Sequence, residues 1–230
     1  MTKMLPDAVL WDMDGTIIDS EPAWMRAESE LVTSFGHAWT AEDAQLTVGF
    51  GLWECAGILV SRGVDLSEAE IIDRLTARVI ELLTVEQLWR PGALEMMKQV
   101  QDARIPQALV TASFRSMAQH VADSIPFAPF DVIIAGDDVT HNKPHPEPYL
   151  MAAQKLGVDP TRSIAFEDSV PGTASAVAAG TMTIAVPHQS PLPEGAGYTL
   201  WSTLSGRGLG DLEHVVRGTQ ETQFQSTARA

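Results

Sequence analysis

The chain has 230 residues, of which 45% are hydrophobic and 20% charged, a balance typical of a globular protein with a sizeable core. Its 30 acidic and 15 basic residues give a formal net charge of −15, which argues against a nucleic-acid partner or an anionic membrane surface because like charges repel. The single cysteine, Cys55, excludes an internal disulfide. Since the sequence contains neither a bilayer-spanning apolar run nor an apolar start of the signal-peptide kind, we expect a cytoplasmic protein.

Five short apolar runs, each ending at a turn, predict buried strands. They are Ala8–Trp11, Gln107–Val110, Asp131–Ala135, Ser163–Phe166 and Met182–Val186. Because their hydrophobicity is continuous rather than alternating, we expect both faces of each strand to be covered, as in a parallel sheet. Helical patterns follow over Ala93–Ala103, Phe114–Ile125, Pro148–Gly157 and Gly172–Ala179. This alternation predicts an α/β fold with a doubly wound, Rossmann-like parallel sheet.

Residues 21–88 break the alternation because they contain no convincing strand. Apolar residues recur there at helical spacing, from Trp24 to Phe35 and again from Ile71 to Leu82. We therefore predict a small all-helical domain over 21–88, inserted after the first strand, between core segments 1–20 and 89–216. Residues 217–230 are polar with little periodicity, which predicts a loose C-terminal tail.

Four polar clusters lie where the predicted strands end, the position at which open α/β sheets bind ligands. They are Asp12-Met13-Asp14-Gly15-Thr16, Thr111-Ala112-Ser113, Asn142-Lys143-Pro144-His145-Pro146-Glu147-Pro148 and Glu167-Asp168-Ser169. Each alone has an ordinary explanation as a turn, a helix cap such as Ser113, a solvated lysine or an acidic helix start. Together they place carboxylates, a hydroxyl, a helix-start amide and a lysine on one rim.

The charges on this rim predict a divalent cation. Ionised Asp12, Asp14 and Asp168 would hold a phosphate dianion away, because like unit charges ~4 Å apart repel by about 4 kcal/mol at an effective dielectric constant of about 20. One divalent cation and Lys143 compensate the three carboxylates. Oxygen ligands suit Mg²⁺, and the chemistry that fits the set is phosphoryl transfer to a carboxylate.

The four motifs resemble those of the haloacid dehalogenase superfamily, in particular its small-helical-cap group of phosphoglycolate-type phosphatases, sugar-phosphate phosphatases and β-phosphoglucomutase. The resemblance extends from about Ala8 to Val186. It rests on Asp12-Met13-Asp14-Gly15-Thr16-Ile17-Ile18-Asp19-Ser20-Glu21, Thr111, Lys143-Pro144-His145-Pro146, Glu167-Asp168-Ser169-Val170-Pro171-Gly172 and Ala178-Ala179-Gly180. It implies a Mg²⁺-dependent phosphatase of a small phosphorylated metabolite, such as a sugar phosphate, with residues 21–88 as the cap.

The resemblance also implies a role for each residue that meets the substrate. Asp12 would be the nucleophile that forms an aspartyl-phosphate. Asp14 would protonate the leaving alcohol and then activate the hydrolytic water. Thr111 and the backbone amide of Ala112 would hold phosphoryl oxygens, and Lys143 would neutralise charge between the nucleophile and the phosphate.

For the metal, the resemblance implies Asp12, the backbone carbonyl of Asp14 and Asp168 as direct Mg²⁺ ligands. Glu167 would be either a further ligand or a partner of one. These residues sit in two motifs that lie far apart in the sequence, so the expectation is testable against the fold.

Two other functions stay open from the sequence. β-Phosphoglucomutases carry a histidine where this chain has Trp24 and an arginine in a cap loop where it has Gly49-Phe50-Gly51-Leu52, so a phosphomutase is the second choice. A signalling receiver domain also places acidic residues, a threonine and a lysine on an α/β rim. The late pair Glu167-Asp168 and the helical insert argue against a receiver.

Several further residues are of types that bind metals or act as nucleophiles, but each has an ordinary structural explanation. His141 and His145 flank the loop lysine and are interpreted as exposed loop residues. Asp137 and Asp138 look like metal ligands, yet the resemblance gives them no role. Cys55 lies in a helical pattern and is interpreted as a small buried residue rather than a nucleophile.

Overall fold

A computed structural model describes residues 4–47, 51–193 and 197–227. The chain divides into two compact units, one formed by the residues up to Ile17 and from Trp89 onward, the other by Ile18–Leu88. The second unit thus begins three residues before position 21, where the sequence pattern turns helical. Each unit has its own buried core.

A six-stranded parallel sheet forms the first unit. Its strands are β1 (Val9–Trp11), β2 (Gln107–Val110), β3 (Val132–Ile134), β4 (Ile164–Glu167), β5 (Met182–Ala185) and β6 (Thr199–Leu200). They lie in the order β3-β2-β1-β4-β5-β6, so the chain winds outward in both directions from β1. This order confirms the predicted doubly wound α/β fold, and each of the five predicted strands is present to within one residue at either end.

Four helices form the second unit: α1 (Glu21–Ser34), α2 (Ala41–Gln45), α3 (Leu52–Ser61) and α4 (Glu68–Val85). Ser67 and Glu70 form a capping box at the start of α4, where each side chain accepts a hydrogen bond from the other residue's backbone N–H. Most of the apolar residues that predicted helices here lie on the buried faces of α1 and α4, among them Leu31 on α1 and Ile71 and Leu75 on α4.

The helices of the first unit are α5 (Ala93–Asp102), α6 (Arg115–Asp123), α7 (Glu147–Leu156), α8 (Val170–Ala178) and α9 (Leu209–Thr227). The bounds of α5 to α8 lie within two residues of the predicted ones. No helix in the described ranges is long and apolar enough to cross a membrane.

The prediction of a loose tail over 217–230 was wrong for its described part, because 217–227 are the second half of α9; residues 228–230 lie outside the described residues. Leu212 and Val216 are buried and anchor the first turns of this helix. Extending an anchored helix costs less than starting one, and the glutamines and glutamate that come next in the chain have good helix propensity. A helix can therefore continue there without an apolar stripe.

Candidate active site

Three neighbouring strands end within one residue of the same row of the sheet. The last residue of β1 is paired with Leu109 of β2 and with Phe166 of β4. The next residues along the three strands, Asp12, Val110 and Glu167, therefore occupy the next row, at the carboxyl edge where parallel α/β sheets carry their ligands. The register of the sheet thus places Asp12 in the middle of the row, with the Val110 carbonyl on one side and the Glu167 carboxylate on the other.

The ammonium group of Lys143 binds all three members of this row. Its Nζ atom donates to Asp12 Oδ1 at 2.7 Å and to the Val110 carbonyl at 2.9 Å, and it lies 2.7 Å from Glu167 Oε1. The Lys143 side chain is only 6% exposed. Burial alone would lower the pKa of this lysine, but the carboxylates of Asp12 and Glu167 outweigh burial and raise the pKa above its usual value. The lysine is therefore a fixed positive charge between the strands.

Tyr149 on α7 lies under this ion pair and belongs to none of the sequence motifs. Its hydroxyl donates to Glu167 Oε1 at 2.5 Å, and Lys143 Nζ lies 5.3 Å from the centroid of its ring. Burial, together with the nearby carboxylates, raises the pKa of Tyr149 well above its usual value, so the hydroxyl remains a donor. A tyrosine on the buried face of a helix needs a hydrogen-bond partner for its hydroxyl. The presence of a tyrosine in the predicted helix was therefore the feature of the sequence that could have indicated this contact.

Two hydroxyls orient the carboxylate of Asp14. The Oδ2 atom of Asp14 accepts from Ser113 Oγ at 2.7 Å and from Thr111 Oγ1 at 3.3 Å. The backbone N–H of Ser113 donates in turn to Thr111 Oγ1 at 3.0 Å, and Ala112 is exposed between them. The interpretation of Ser113 as a helix cap was wrong, because α6 is capped at Phe114 without a side-chain bond.

A buried acidic cluster lies beside the lysine. One carboxylate oxygen from each of Asp12, Glu167 and Asp168 lies within 4.8 Å of the other two. Burial and the neighbouring carboxylates raise the pKa of Glu167 and the pKa of Asp168. Asp12 Oδ2 and Glu167 Oε2 are buried and have no hydrogen-bond partner among the described residues, so the cluster presents acceptors that no protein donor satisfies.

Two glycines let the backbone approach these carboxylates closely. A β-carbon at Gly15, which has a φ of +80°, would overlap the carboxylate of Asp168. A β-carbon at Gly172, in the first turn of α8, would overlap the carboxylate of Glu167. Both glycines belong to the motifs that the sequence analysis singled out.

The acidic cluster fits a divalent cation of the Mg²⁺ type. When all three carboxylates are ionised, they exceed the one ammonium by two negative charges in a buried place, and an unpaired buried charge is costly. The donors are all hard oxygen atoms, which Mg²⁺ prefers. The unsatisfied Oδ2 atom of Asp12 is the observation that favours a cation over a further protein donor.

Asp137 and Asp138 have a structural role instead. Asp137 Oδ1 accepts from the backbone N–H of Arg115 at 2.8 Å, and Asp138 Oδ2 accepts from the backbone N–H of Ala135 at 2.7 Å. The Arg115 guanidinium also pairs with Asp138. The two carboxylates therefore fasten the end of β3 to the start of α6.

Comparison with known proteins finds a hydrolase family and phosphatase relatives. The family model of haloacid dehalogenase-like hydrolases matches residues 6–180. The chain is 32% identical to hexitol phosphatase B of Escherichia coli (strain K12) over 191 residues, which cover 78% of this chain and 83% of that protein. It is 30% identical over 181 residues to the phosphorylated carbohydrates phosphatase of Thermotoga maritima, covering 76% and 82%.

A solved structure matches nearly the whole chain. The crystal structure of CbbY from Rhodobacter sphaeroides, in complex with xylulose-1,5-bisphosphate, superposes with a TM-score of 0.81 at 28% identity. The match covers 90% of this chain and 99% of that chain.

Proposed function

The chain belongs to the haloacid dehalogenase-like hydrolase family and is a phosphoric monoester hydrolase, and from that premise we propose that it is a Mg²⁺-dependent phosphatase of sugar-phosphate-like monoesters, acting through an aspartyl-phosphate. The observation that carries the proposal is the position of Asp12 at the end of the central strand, paired with Lys143 and beside two further carboxylates. The relatives named for hexitol and carbohydrate phosphates support the substrate class.

In the first proposed step, a carboxylate oxygen of Asp12 attacks the phosphorus atom. The bond between phosphorus and the sugar oxygen breaks, and the leaving oxygen takes a proton from the Asp14 carboxyl group. The Ser113 hydroxyl holds Asp14 in one orientation, which a proton donor needs in order to meet the leaving oxygen, whereas the longer hydrogen bond from Thr111 to Asp14 would give way so that the Thr111 hydroxyl can donate to a phosphoryl oxygen.

In the second step, a water molecule attacks phosphorus, and Asp14 accepts the proton that the water loses. The bond between phosphorus and Asp12 breaks, so that inorganic phosphate leaves and the Asp12 carboxylate is restored. Lys143, the Thr111 hydroxyl and the Ala112 amide would offset charge on the phosphoryl oxygens in both steps.

The proposed Mg²⁺ ligands are Asp12, the Asp14 carbonyl and Asp168, with Glu167 contributing through Oε2 directly or through water. When bound there, Mg²⁺ would offset the carboxylates so that a phosphate dianion can approach. Glu167 Oε1 is already engaged by Lys143 and Tyr149, so that oxygen orients the lysine.

We propose that residues 18–88 act as the cap that selects the substrate, in keeping with the helical insert. Trp24 is half-buried on α1, where the phosphomutases of the family carry a histidine, and this favours transfer of the phosphoryl group to water. Gly49 and Phe50 of the predicted cap loop lie outside the described residues.

The proposal is tested by measuring phosphate release from a panel of sugar phosphates with Mg²⁺ and with a chelator. We expect turnover to require Mg²⁺, and we expect Asp12→Asn to lower kcat by at least about 10³-fold because the nucleophile is lost. Asp65→Asn, which changes an exposed carboxylate of the helical unit, is the matched control and should retain full activity.

Full turnover by Asp12→Asn would refute the covalent mechanism. Faster interconversion of hexose phosphates than phosphate release, with a requirement for a bisphosphate activator, would instead assign the phosphomutase activity.

A further inference from the structure

Two histidines and a glutamate meet on the loop that carries Lys143. Within the described residues, His141, His145 and Glu147 each offer one ligand atom, and these three atoms lie within 4.8 Å of one another. The two imidazole rings lie 4.7 Å apart, centroid to centroid. The group is separate from the acidic cluster of Asp12, Glu167 and Asp168 because it shares no residue with it.

From this geometry we propose a second metal site, formed by His141, His145 and Glu147, that binds a divalent transition-metal ion such as Zn²⁺. Imidazole nitrogens suit Zn²⁺ and related ions, whereas the all-oxygen cluster suits Mg²⁺. The two sites therefore select different cations by ligand chemistry.

The distances from the Glu147 carboxylate to the two histidines are close to those of tetrahedral coordination. With zinc–ligand bonds of about 2.0 Å, the ligand atoms of a tetrahedral site lie about 3.3 Å apart. Glu147 Oε2 lies 2.9 Å from His141 Nδ1 and 3.9 Å from His145 Nδ1, so the two distances bracket that value.

The loop holds these ligands in place without a metal. Backbone N–H groups of Thr140 and His141 donate to the Glu147 carboxylate at 2.7 and 2.9 Å. The Ser175 hydroxyl donates to the His145 carbonyl at 2.6 Å. Prolines 144, 146 and 148 restrict the backbone between and beside the ligands. Such preorganisation lowers the entropic cost of binding an ion.

The protonation pattern allows the ion to enter. An ionised Glu147 can only accept, so His141 Nδ1 carries the hydrogen of their shared bond, and the ion would replace that hydrogen while His141 shifts to the Nε2–H tautomer. His145 Nδ1 accepts from the Glu147 N–H at 3.2 Å, so it already has a lone pair and would exchange this long hydrogen bond for the metal. The histidine side chains are 63% and 51% exposed, which leaves the fourth coordination position open to water.

The test is calorimetric titration of Zn²⁺ into the full chain in the presence of excess Mg²⁺, which occupies the acidic cluster. We expect one Zn²⁺ per chain, and we expect His141→Gln and His145→Gln each to weaken binding at least about tenfold. His214→Gln, an exposed histidine on α9, and Asp12→Asn should bind Zn²⁺ like the parent protein.

A second measurement reads the site directly. Imidazole nitrogen shifts in NMR spectra should show His141 changing to the Nε2–H tautomer on adding Zn²⁺, while His145 keeps that tautomer. The proposal is overturned if the parent protein binds no Zn²⁺, or if His141→Gln and His145→Gln bind it unchanged while Asp12→Asn does not. Phosphatase activity in Mg²⁺ alone should be the same in both histidine variants, so failure here is distinguishable from failure of the proposed function.

Discussion

The hydroxyl of Tyr149 shares one acceptor, Glu167 Oε1, with the ammonium of Lys143. Hydrogen bonds to a charged group contribute about 1.5–3 kcal/mol, more than neutral ones. We therefore regard Tyr149 as a positioning residue that keeps Glu167 in place, and through Glu167 both the lysine and the acidic cluster.

Replacing Tyr149 by phenylalanine keeps the ring and removes only this hydroxyl. We expect kcat to fall about tenfold and the Mg²⁺ concentration for half-maximal activity to rise, with KM little changed, because the loss disturbs Glu167 rather than the substrate. Steady-state kinetics over a Mg²⁺ series measure both effects. Tyr198→Phe is the matched control, since the chain has two tyrosines and Tyr198 donates to the Pro193 carbonyl instead. A lower free energy of unfolding for Tyr149→Phe, with unchanged steady-state kinetics, would mean that Tyr149 has only a structural role.

At the scale of residues, the sequence was enough to predict the meeting of Asp12, Lys143 and Glu167. The carboxyl edge of a parallel sheet brings together Asp12 and Glu167 at their strand ends, and the family resemblance adds the loop lysine. The sequence was not enough for Tyr149 and Ser113. Each has a common structural explanation in sequence, as a core aromatic or a helix cap, and their partners lie 18 and 99 residues away. Long-range hydrogen bonds of this kind leave no local pattern.

Helix α1 buries a carboxylate on its apolar face. Glu28 is 4% exposed and sits among Ala27, Leu31 and Val32 on that face. Thr47 Oγ1 donates to Glu28 Oε2 at 2.8 Å. Burial raises the pKa of Glu28 to about 7, opposed by the Thr47 hydrogen bond and assisted by the charge of Glu21. The helix therefore carries a group that is more easily ionised when the protein unfolds.

This arrangement predicts a pH-dependent stability. Because the folded-state pKa of Glu28 is raised, the unfolded chain loses this proton first, and stability falls as pH rises from about 4.5 through about 7. We expect Glu28→Gln to remove about 2–3 kcal/mol of that fall, since the amide stays neutral and can still accept from Thr47. Urea unfolding of both proteins at pH 5 and pH 8 measures the difference. An equal pH dependence of stability in the two proteins would contradict the assignment to Glu28. The Cys55 thiol does not titrate between pH 5 and pH 8, because burial raises its pKa to about 12.

At the scale of elements, sequence patterns predicted the buried strands and helices well and the exposed ones poorly. β1, β2, β4 and β5 are buried throughout, and short, largely apolar runs bounded by turns are typical of such strands. β6 is two exposed residues and so carries no run. The second half of α9 is polar and has no apolar periodicity. It is helical because the first turns of α9 are anchored by buried residues.

The whole molecule is built as an insertion into one domain. Within the first unit, the backbone N–H of Arg90 donates to the Ile17 carbonyl at 2.9 Å. Within the second, the N–H of Asp19 donates to the Leu88 carbonyl at 2.8 Å. The chain therefore leaves the first unit and returns to it at adjacent positions, which is the arrangement that tolerates insertion and removal of a segment.

We expect the first unit to fold when residues 19–88 are replaced by a short glycine-serine linker. The product should show a cooperative thermal transition by circular dichroism and hydrolyse p-nitrophenyl phosphate in an Asp12-dependent way. If residues 18–88 are the cap, it should lose its preference among sugar phosphates. An aggregated product without a transition would show that the two units fold only together. At the scale of the whole molecule, the alternation of strands and helices was enough to predict the topology. The identity of the substrate could not be predicted, because it depends on the positions of side chains in the helical unit, which the sequence alone does not give.

The shielding of Lys143 has a chemical consequence. The chain has four lysines, of which Lys98 and Lys155 are exposed, whereas Lys143 is 6% exposed and charged. A protonated, enclosed amine is a poor nucleophile. Acylating metabolites and cyanate should therefore modify Lys98 and Lys155 before they modify Lys143. Slow chemical modification of this protein would accordingly affect surface lysines first and leave the lysine of the candidate active site intact.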